Sequence, residues 1–211
     1  MRVYSSRTVS GILAALLAAI AFTAVFPAGA HAQTKVVVDP GKKNMDIKKK
    51  VEELALTLPE CPVPLAAYVP ATRFGDTIVV SGQLPSVKGD FSAYTGIVPT
   101  ELSVEKAAEA ARICLLNNIA AAMTKLEHGE TLKLVQMQGF VQSAADFHEQ
   151  PAILNGASEL AVQIFGDNGK HARTAVGVSA LPKNAAVEIS CTFQAIPEEL
   201  KFTGRMNWIE Q

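Results

Sequence analysis

Arg173 and Glu188 are the charged residues whose surroundings leave room for chemistry. Arg173 opens an apolar run, residues 172–180, whose other members are small or apolar. Alternation with Ala175 and Gly177 leaves space around the guanidinium, which suits bidentate capture of a carboxylate. A plain surface arginine at a strand end fits the same pattern and is the commoner case on pattern alone. Glu188 lies in a run where Val187, Ile189, Cys191 and Phe193 alternate with Glu188, Ser190, Thr192 and Gln194. That is the signature of a half-buried strand, and a solvent-facing acid is its plainest reading. The stretch Ser81-Gly82-Gln83-Leu84-Pro85 ends another apolar run abruptly. Glycine at that point lets a ligand come close to the backbone, although an ordinary strand-to-loop turn explains it equally well.

Familiar catalytic clusters are missing from the sequence. It has no glycine-rich phosphate loop, no paired CxxC motifs, no His-x-x-x-His and no G-x-S-x-G elbow. His128, His148 and His171 are scattered, so no metal and no cofactor are expected. The formal net charge of the 211 residues is −1. The basic triplet Lys48-Lys49-Lys50 reads as a solvated helix face, and no nucleic-acid partner is expected, because phosphate-backbone binding needs clustered cations. Cys61, Cys114 and Cys191 are odd in number, which leaves at least one unpaired within the chain. Cys114 and Cys191 read as buried thiols, and Cys61 as the most exposed of the three.

Several elements must position these residues. Residues 46–57 predict a short helix carrying Ile47, Val51, Leu54 and Leu56, ended by Pro59, Pro62 and Pro64. Residues 68–73 and 77–82 predict two strands joined at Gly75-Asp76. The clearest helix spans 103–126, capped by Ser103, with Glu105 in its first turn and an apolar stripe through Val104, Ala108, Ala111, Leu115, Ile119, Ala122 and Leu126. Residues 132–143 predict a strand with Val135, Met137 and Val141 on one face and Gln136, Gln138 and Gln142 on the other. Residues 151–165 predict a helix, with Pro151 in its first turn and Gly166 just past its end. Two strands, 172–180 and 186–195, follow around a loop at 181–185. The order β-β-α-β-α-β-β implies an α+β domain, a mixed sheet with two helices on one face.

If the last two strands form a hairpin, Glu188 pairs near Ser179 and Arg173 near Gln194. That spacing separates Arg173 from Glu188 by roughly 20 Å at strand rise. Both point away from the core if Val176, Val178, Val187 and Ile189 point into it. An interface between subunits is then the simplest place for them to meet.

The N-terminus is of another kind. Arg2 and Arg7 precede an apolar run at 12–25, and Ala30-His31-Ala32 supplies a small-x-small triplet. This order is that of a cleavable secretory signal, and the run is short for a membrane span. The expected organisation is a signal peptide at 1–32, an N-terminal extension with a short helix at 33–65, the main domain at 66–196 and a C-terminal tail at 197–211. The mature chain would start at Gln33 and reside in the periplasm or outside the cell, with no stable membrane anchor.

Ala66-Ala67-Tyr68-Val69, followed by Ile78-Val79-Val80-Ser81-Gly82-Gln83-Leu84-Pro85, resembles the opening of the reactive-imine deaminase family, RidA or YjgF. Asn155-x-x-x-Glu159 resembles its second helix. Ala172-Arg173-Thr174-Ala175-Val176-Gly177-Val178, through Leu181-Pro182-Lys183-Asn184 to Val187-Glu188-Ile189, resembles its closing strands. The resemblance implies a chorismate-mutase-like fold, a homotrimer with sites between subunits, and cofactor-independent hydrolysis of small enamine or imine carboxylates, such as 2-aminoacrylate, to 2-keto acids and ammonia. By the same resemblance, Arg173 binds the carboxylate and Glu188 works through a water, as the catalytic pair. Tyr68, Ser81, Gly82 and Asn155 form the substrate pocket. Ala175 stands where the family often has cysteine, and His171 where proline is usual. A non-catalytic carboxylate-binding module and an endoribonuclease are the alternatives.

Overall fold

A computed structural model of the chain describes residues 45–61 and 66–197. The expected signal peptide, the start of the extension and the tail after Pro197 lie outside the described residues. Among the described residues no helix is long and apolar enough to cross a membrane.

The first element, α1 (Met45–Glu53), seats Ile47 and Val51 in the hydrophobic core, while Lys48, Lys49 and Lys50 stay exposed as the triplet predicts. It ends sooner than its apolar spacing predicts. Ala55 turns to φ 56°, and the Leu56 N–H reaches back to the Val51 carbonyl at 3.0 Å. This is a left-handed helix stop, here made without glycine.

Strands β1 (Ala71–Phe74) and β2 (Thr77–Val80) form a hairpin around Gly75-Asp76. Arg73 locks β1 to the start of the third strand, donating to both carboxylate oxygens of Glu130 (2.6 and 2.9 Å) and to the Lys125 carbonyl at 3.0 Å. Helix α2 (Val104–Met123) begins where Ser103 Oγ accepts the Lys106 N–H, the cap read from the sequence. Its second half is buried nearly all round, more than a single stripe would need, from Cys114 to Ala122. Asn117 explains part of this: its Nδ2 holds the loop after β2 against the helix through the carbonyls of Leu84 and Ser86.

Strand β3 (Glu130–Gln142), helix α3 (Gln150–Phe165), strand β4 (Ala172–Val178) and strand β5 (Val187–Pro197) complete the domain. The five strands make one mixed sheet in the order β1-β2-β5-β3-β4. Helices α2 and α3 pack together and against one face of that sheet. At their contact Gly156 is required: a β-carbon there would lie 2.6 Å from the Ala108 carbonyl oxygen.

The α+β class and the element order agree with expectation, but the pairing of the last strands does not. β4 and β5 are not a hairpin. β4 runs parallel to β3, with Arg173 opposite Met137, and β5 lies on the other side of β3, antiparallel to it. The crossover through α3 returns the chain parallel to β3, which leaves β4 as the edge strand. β4 is accordingly the most exposed strand. Val135 is also misassigned by simple alternation. It is 43% exposed because the register shifts between Leu134 and Gln136, a bulge that returns Met137 and Val141 to the core.

Candidate active site

The new pairing puts Arg173 and Glu188 on opposite faces of the sheet. Arg173 shares the face of buried Met137, toward α3. Glu188 lies opposite Phe140, which is itself opposite Val176, on the face without helices. Val176 and Val178 therefore point to the open face, not the core. Two strands across and three residues along, the α-carbons are on the order of 14 Å apart, and the sheet stands between the side chains. Within one chain they cannot grip the same small molecule.

Arg173 is held from α3. Its Nη1 donates to Asn155 Oδ1 at 2.9 Å and to Ser158 Oγ at 3.0 Å. Asn155, expected as a pocket residue, thus serves as an anchor for the arginine. The groove around the guanidinium is lined by Ser158, Val162, Gly169, Lys170 and His171. Among the described residues, Nε and Nη2 have no partner. They are the donors of the side edge, the edge that can take a carboxylate bidentately.

Glu188 is half buried at the start of β5. Its carboxyl has no hydrogen-bond or ion-pair partner among the described residues, and burial raises its pKa above the ordinary glutamate value. Gly82 lies directly against it: a β-carbon there would collide with Glu188 Oε1. The serine-glycine pair owes its place to an interrupted ladder. β2 pairs with β5 as far as Val79 opposite Thr192, and pairing resumes at Gln83 opposite Ile189. Ser81 and Gly82 fall in the gap.

Ser81 bonds away from the carboxyl, its Oγ to the Val69 carbonyl at 2.8 Å and its N–H to the Pro70 carbonyl at 2.9 Å. It ties down the segment carrying Tyr68. Tyr68 precedes β1 and is 50% exposed. Gly82 and Glu188 are thus brought together on the open face with Ser81 adjoining them, and Arg173 and Asn155 on the helix side. Among the described residues no groove unites all six expected residues.

Sequence reasoning passed over Asn118. It is fully buried; Nδ2 donates to the Cys114 and Ile189 carbonyls (2.8 and 2.9 Å), and Oδ1 accepts the Cys191 N–H at 3.0 Å. It thereby satisfies the β5 backbone where the ladder is broken. The signal was present as Asn117-Asn118, adjacent amides inside an apolar helix run. Ser158 was also missed, and the contact of His171 with it has no trace in sequence spacing. Cys114 and Cys191 are buried and Cys61 is the most exposed of the three, as expected, although it is half buried and packs on the core; burial raises its thiol pKa. Among the described residues no cluster of His, Cys, Asp or Glu could hold a metal ion.

Comparison with known proteins gives this geometry its lineage. A family model described as endoribonuclease L-PSP matches residues 59–194. Protein TCP17 of Trypanosoma cruzi is 37% identical over 146 residues, covering 68% of this chain and 90% of its own. The crystal structure of Atu1372 from Agrobacterium tumefaciens, described as of unknown function, is 38% identical with a TM-score of 0.64, covering 72% of this chain and 94% of that one. A Shewanella oneidensis structure described as a candidate endoribonuclease is 25% identical with a TM-score of 0.63, covering 70% and 98%. The chain belongs to the endoribonuclease L-PSP family, also called YjgF or RidA.

Proposed function

We propose that the protein hydrolyses small enamine or imine carboxylates to 2-keto acids and ammonia, without a cofactor. The observation that carries this reading is the Glu188 carboxyl, half buried against Gly82 and without a bonding partner among the described residues. A carboxylate kept free of internal partners, with its pKa raised above the ordinary glutamate value, is a stronger base toward water. Arg173 offers the unpaired side edge of its guanidinium to the substrate carboxylate and fixes its orientation. Water adds to the imine carbon as Glu188 accepts its proton. That proton passes to nitrogen to give the carbinolamine; its hydroxyl proton then moves to nitrogen as the C–N bond breaks, so ammonia leaves and the carbonyl of the 2-keto acid forms. The Gly82 backbone lines the wall beside the water.

Because Arg173 and Glu188 face opposite sides of one sheet, the reading requires Arg173 from one chain and Glu188 from a neighbour. A homotrimer provides that arrangement with closed symmetry. The open sheet face supports it: Phe74, Val79 and Val176 are exposed there among polar side chains, with Phe140 half buried. Arg173→Ala and Glu188→Ala chains are each expected to be inactive alone. Mixed particles made by refolding both together should regain part of the keto-acid release, and mixed particles as inactive as the parents would defeat the shared site.

The family's description and the Shewanella relative favour a second reading, endoribonuclease cleavage. The net charge of −1 weighs against it. Incubating the same preparations with single-stranded RNA separates the two: cleavage that survives Glu188→Ala while keto-acid release is absent would replace the deaminase reading. A binding-only module would need Arg173 but be indifferent to Glu188.

A further inference from the structure

Arg173 is not held by α3 alone. Behind it stands a second link: Ser158 Oγ lies 3.2 Å from His171 Nε2, and His171 Nδ1 lies 2.6 Å from the Gly169 carbonyl oxygen. A carbonyl can only accept, so Nδ1 carries a hydrogen and donates it. In the neutral ring Nε2 is then a bare acceptor, and the Ser158 hydroxyl donates to it. The serine oxygen keeps its lone pairs for Arg173 Nη1, whose other hydrogen goes to Asn155. Both Nη1 hydrogens are used, and the free donors are those of the side edge.

Resting on the carboxylate-binding reading of Arg173, we propose that Ser158 and His171 are positioning residues that couple the grip of Arg173 on a substrate carboxylate to the protonation of His171. When His171 takes up a proton, Nε2 becomes a donor and Ser158 must accept from it. The serine now accepts from both His171 and Arg173, and its own hydrogen is released toward the groove. A bound carboxylate then gains a third donor and a second nearby cation. Histidine is the side chain that changes charge between about pH 5 and 8.

The other charged groups around the ring leave this coupling intact. Lys170 beside it is paired with Asp167 at 2.7 Å. Glu159 is the acid next to Ser158 on α3 and is exposed. Arg173 is the cation that the relay already includes.

The experiment is calorimetric titration of the assembled protein with 2-oxobutanoate, a small 2-keto acid, between about pH 8 and about pH 5.5. Parent affinity should rise about fivefold more than that of His171→Gln, the low end for coupled sites at a solvated surface. Glutamine keeps an acceptor for Ser158 but takes no proton, so any rise left in that variant belongs to Glu188. Ser158→Ala removes the middle link and should show the same shallow profile as His171→Gln. A His171→Gln or Ser158→Ala profile as steep as the parent's overturns the relay while leaving the carboxylate grip standing. Undiminished binding by Arg173→Ala at every pH overturns the grip itself.

Discussion

Replacing Gly82 by alanine tests the heart of the site with a single methyl group. The backbone at Gly82 is outside the left-handed region, so alanine adds no backbone strain. Its β-carbon, however, would occupy the place of Glu188 Oε1. The glutamate is half buried and can swing aside toward the open face, at about 0.5–1.5 kcal/mol for an off-minimum rotamer. For a domain of this size that is a fall in Tm of roughly 2–5 °C. The carboxyl then moves by an ångström or more from its water, a misplacement that costs about 100-fold in rate. Circular dichroism with thermal melting reads the first number and keto-acid release from an enzymatically generated imine reads the second. The double variant Gly82→Ala/Glu188→Gln should be no slower than Glu188→Gln, since both changes disable one function. A folded Gly82→Ala protein turning over at the parent rate would refute the placement of the water over Glu188.

Three further outcomes are expected. In the proposed mechanism the ionised form of Glu188 is the base; because burial raises its pKa, the acid limb of kcat/KM should lie above the ordinary glutamate value of about 4.3, and Glu188→Gln should abolish it. The sign for stability follows: a folded value above the unfolded one gives a contribution that is present at low pH and lost as pH rises through the folded value, so Glu188→Gln should be more stable than the parent near neutral pH, by urea unfolding. Asn118→Ala strands the buried Cys191 N–H and should cost about 2–4 kcal/mol in the same measurement; a loss under about 1 kcal/mol would dismiss the clamp. N-terminal sequencing of the native protein should read from Gln33, and an intact Met1 in a cytoplasmic fraction would end the export reading.

Most of the fold could be read from periodicity, because each buried element has a face that repeats in its own rhythm. The β5 alternation from Val187 to Phe193 and the caps of α2 and α3 are local facts, and local facts survive folding. Strand order is not local. Nothing in residues 172–195 says that β3 will insert between β4 and β5, and the hairpin reading follows from proximity in sequence alone. That error carried into the site: it turned Arg173 onto the wrong face and placed Val176 inside. The residues that chemistry would need were nonetheless visible as types, since an arginine among small residues and an acid on a polar face are patterns of composition. Their supports were not visible. Ser158 meets Arg173 across 15 positions of sequence and Asn118 meets Cys191 across 73, and no spacing rule connects either pair.

Helix α1 changes what counts as the folding unit. The family model starts at residue 59, yet Ile47 and Val51 already sit in the same core as α2 and α3, with Leu54, Leu56 and Leu58 packed beside them. A chain begun at the family boundary would bare the seat of these side chains. Two fully buried aliphatic side chains are together worth roughly 3–6 kcal/mol, a sizeable part of the 5–15 kcal/mol or so that holds a typical domain folded. Homologous segments exchanged at that boundary would therefore arrive without their lid, and the exposed helix layer would be a surface for association. In this chain α1 is part of the helical layer that covers the sheet, not packing material around it.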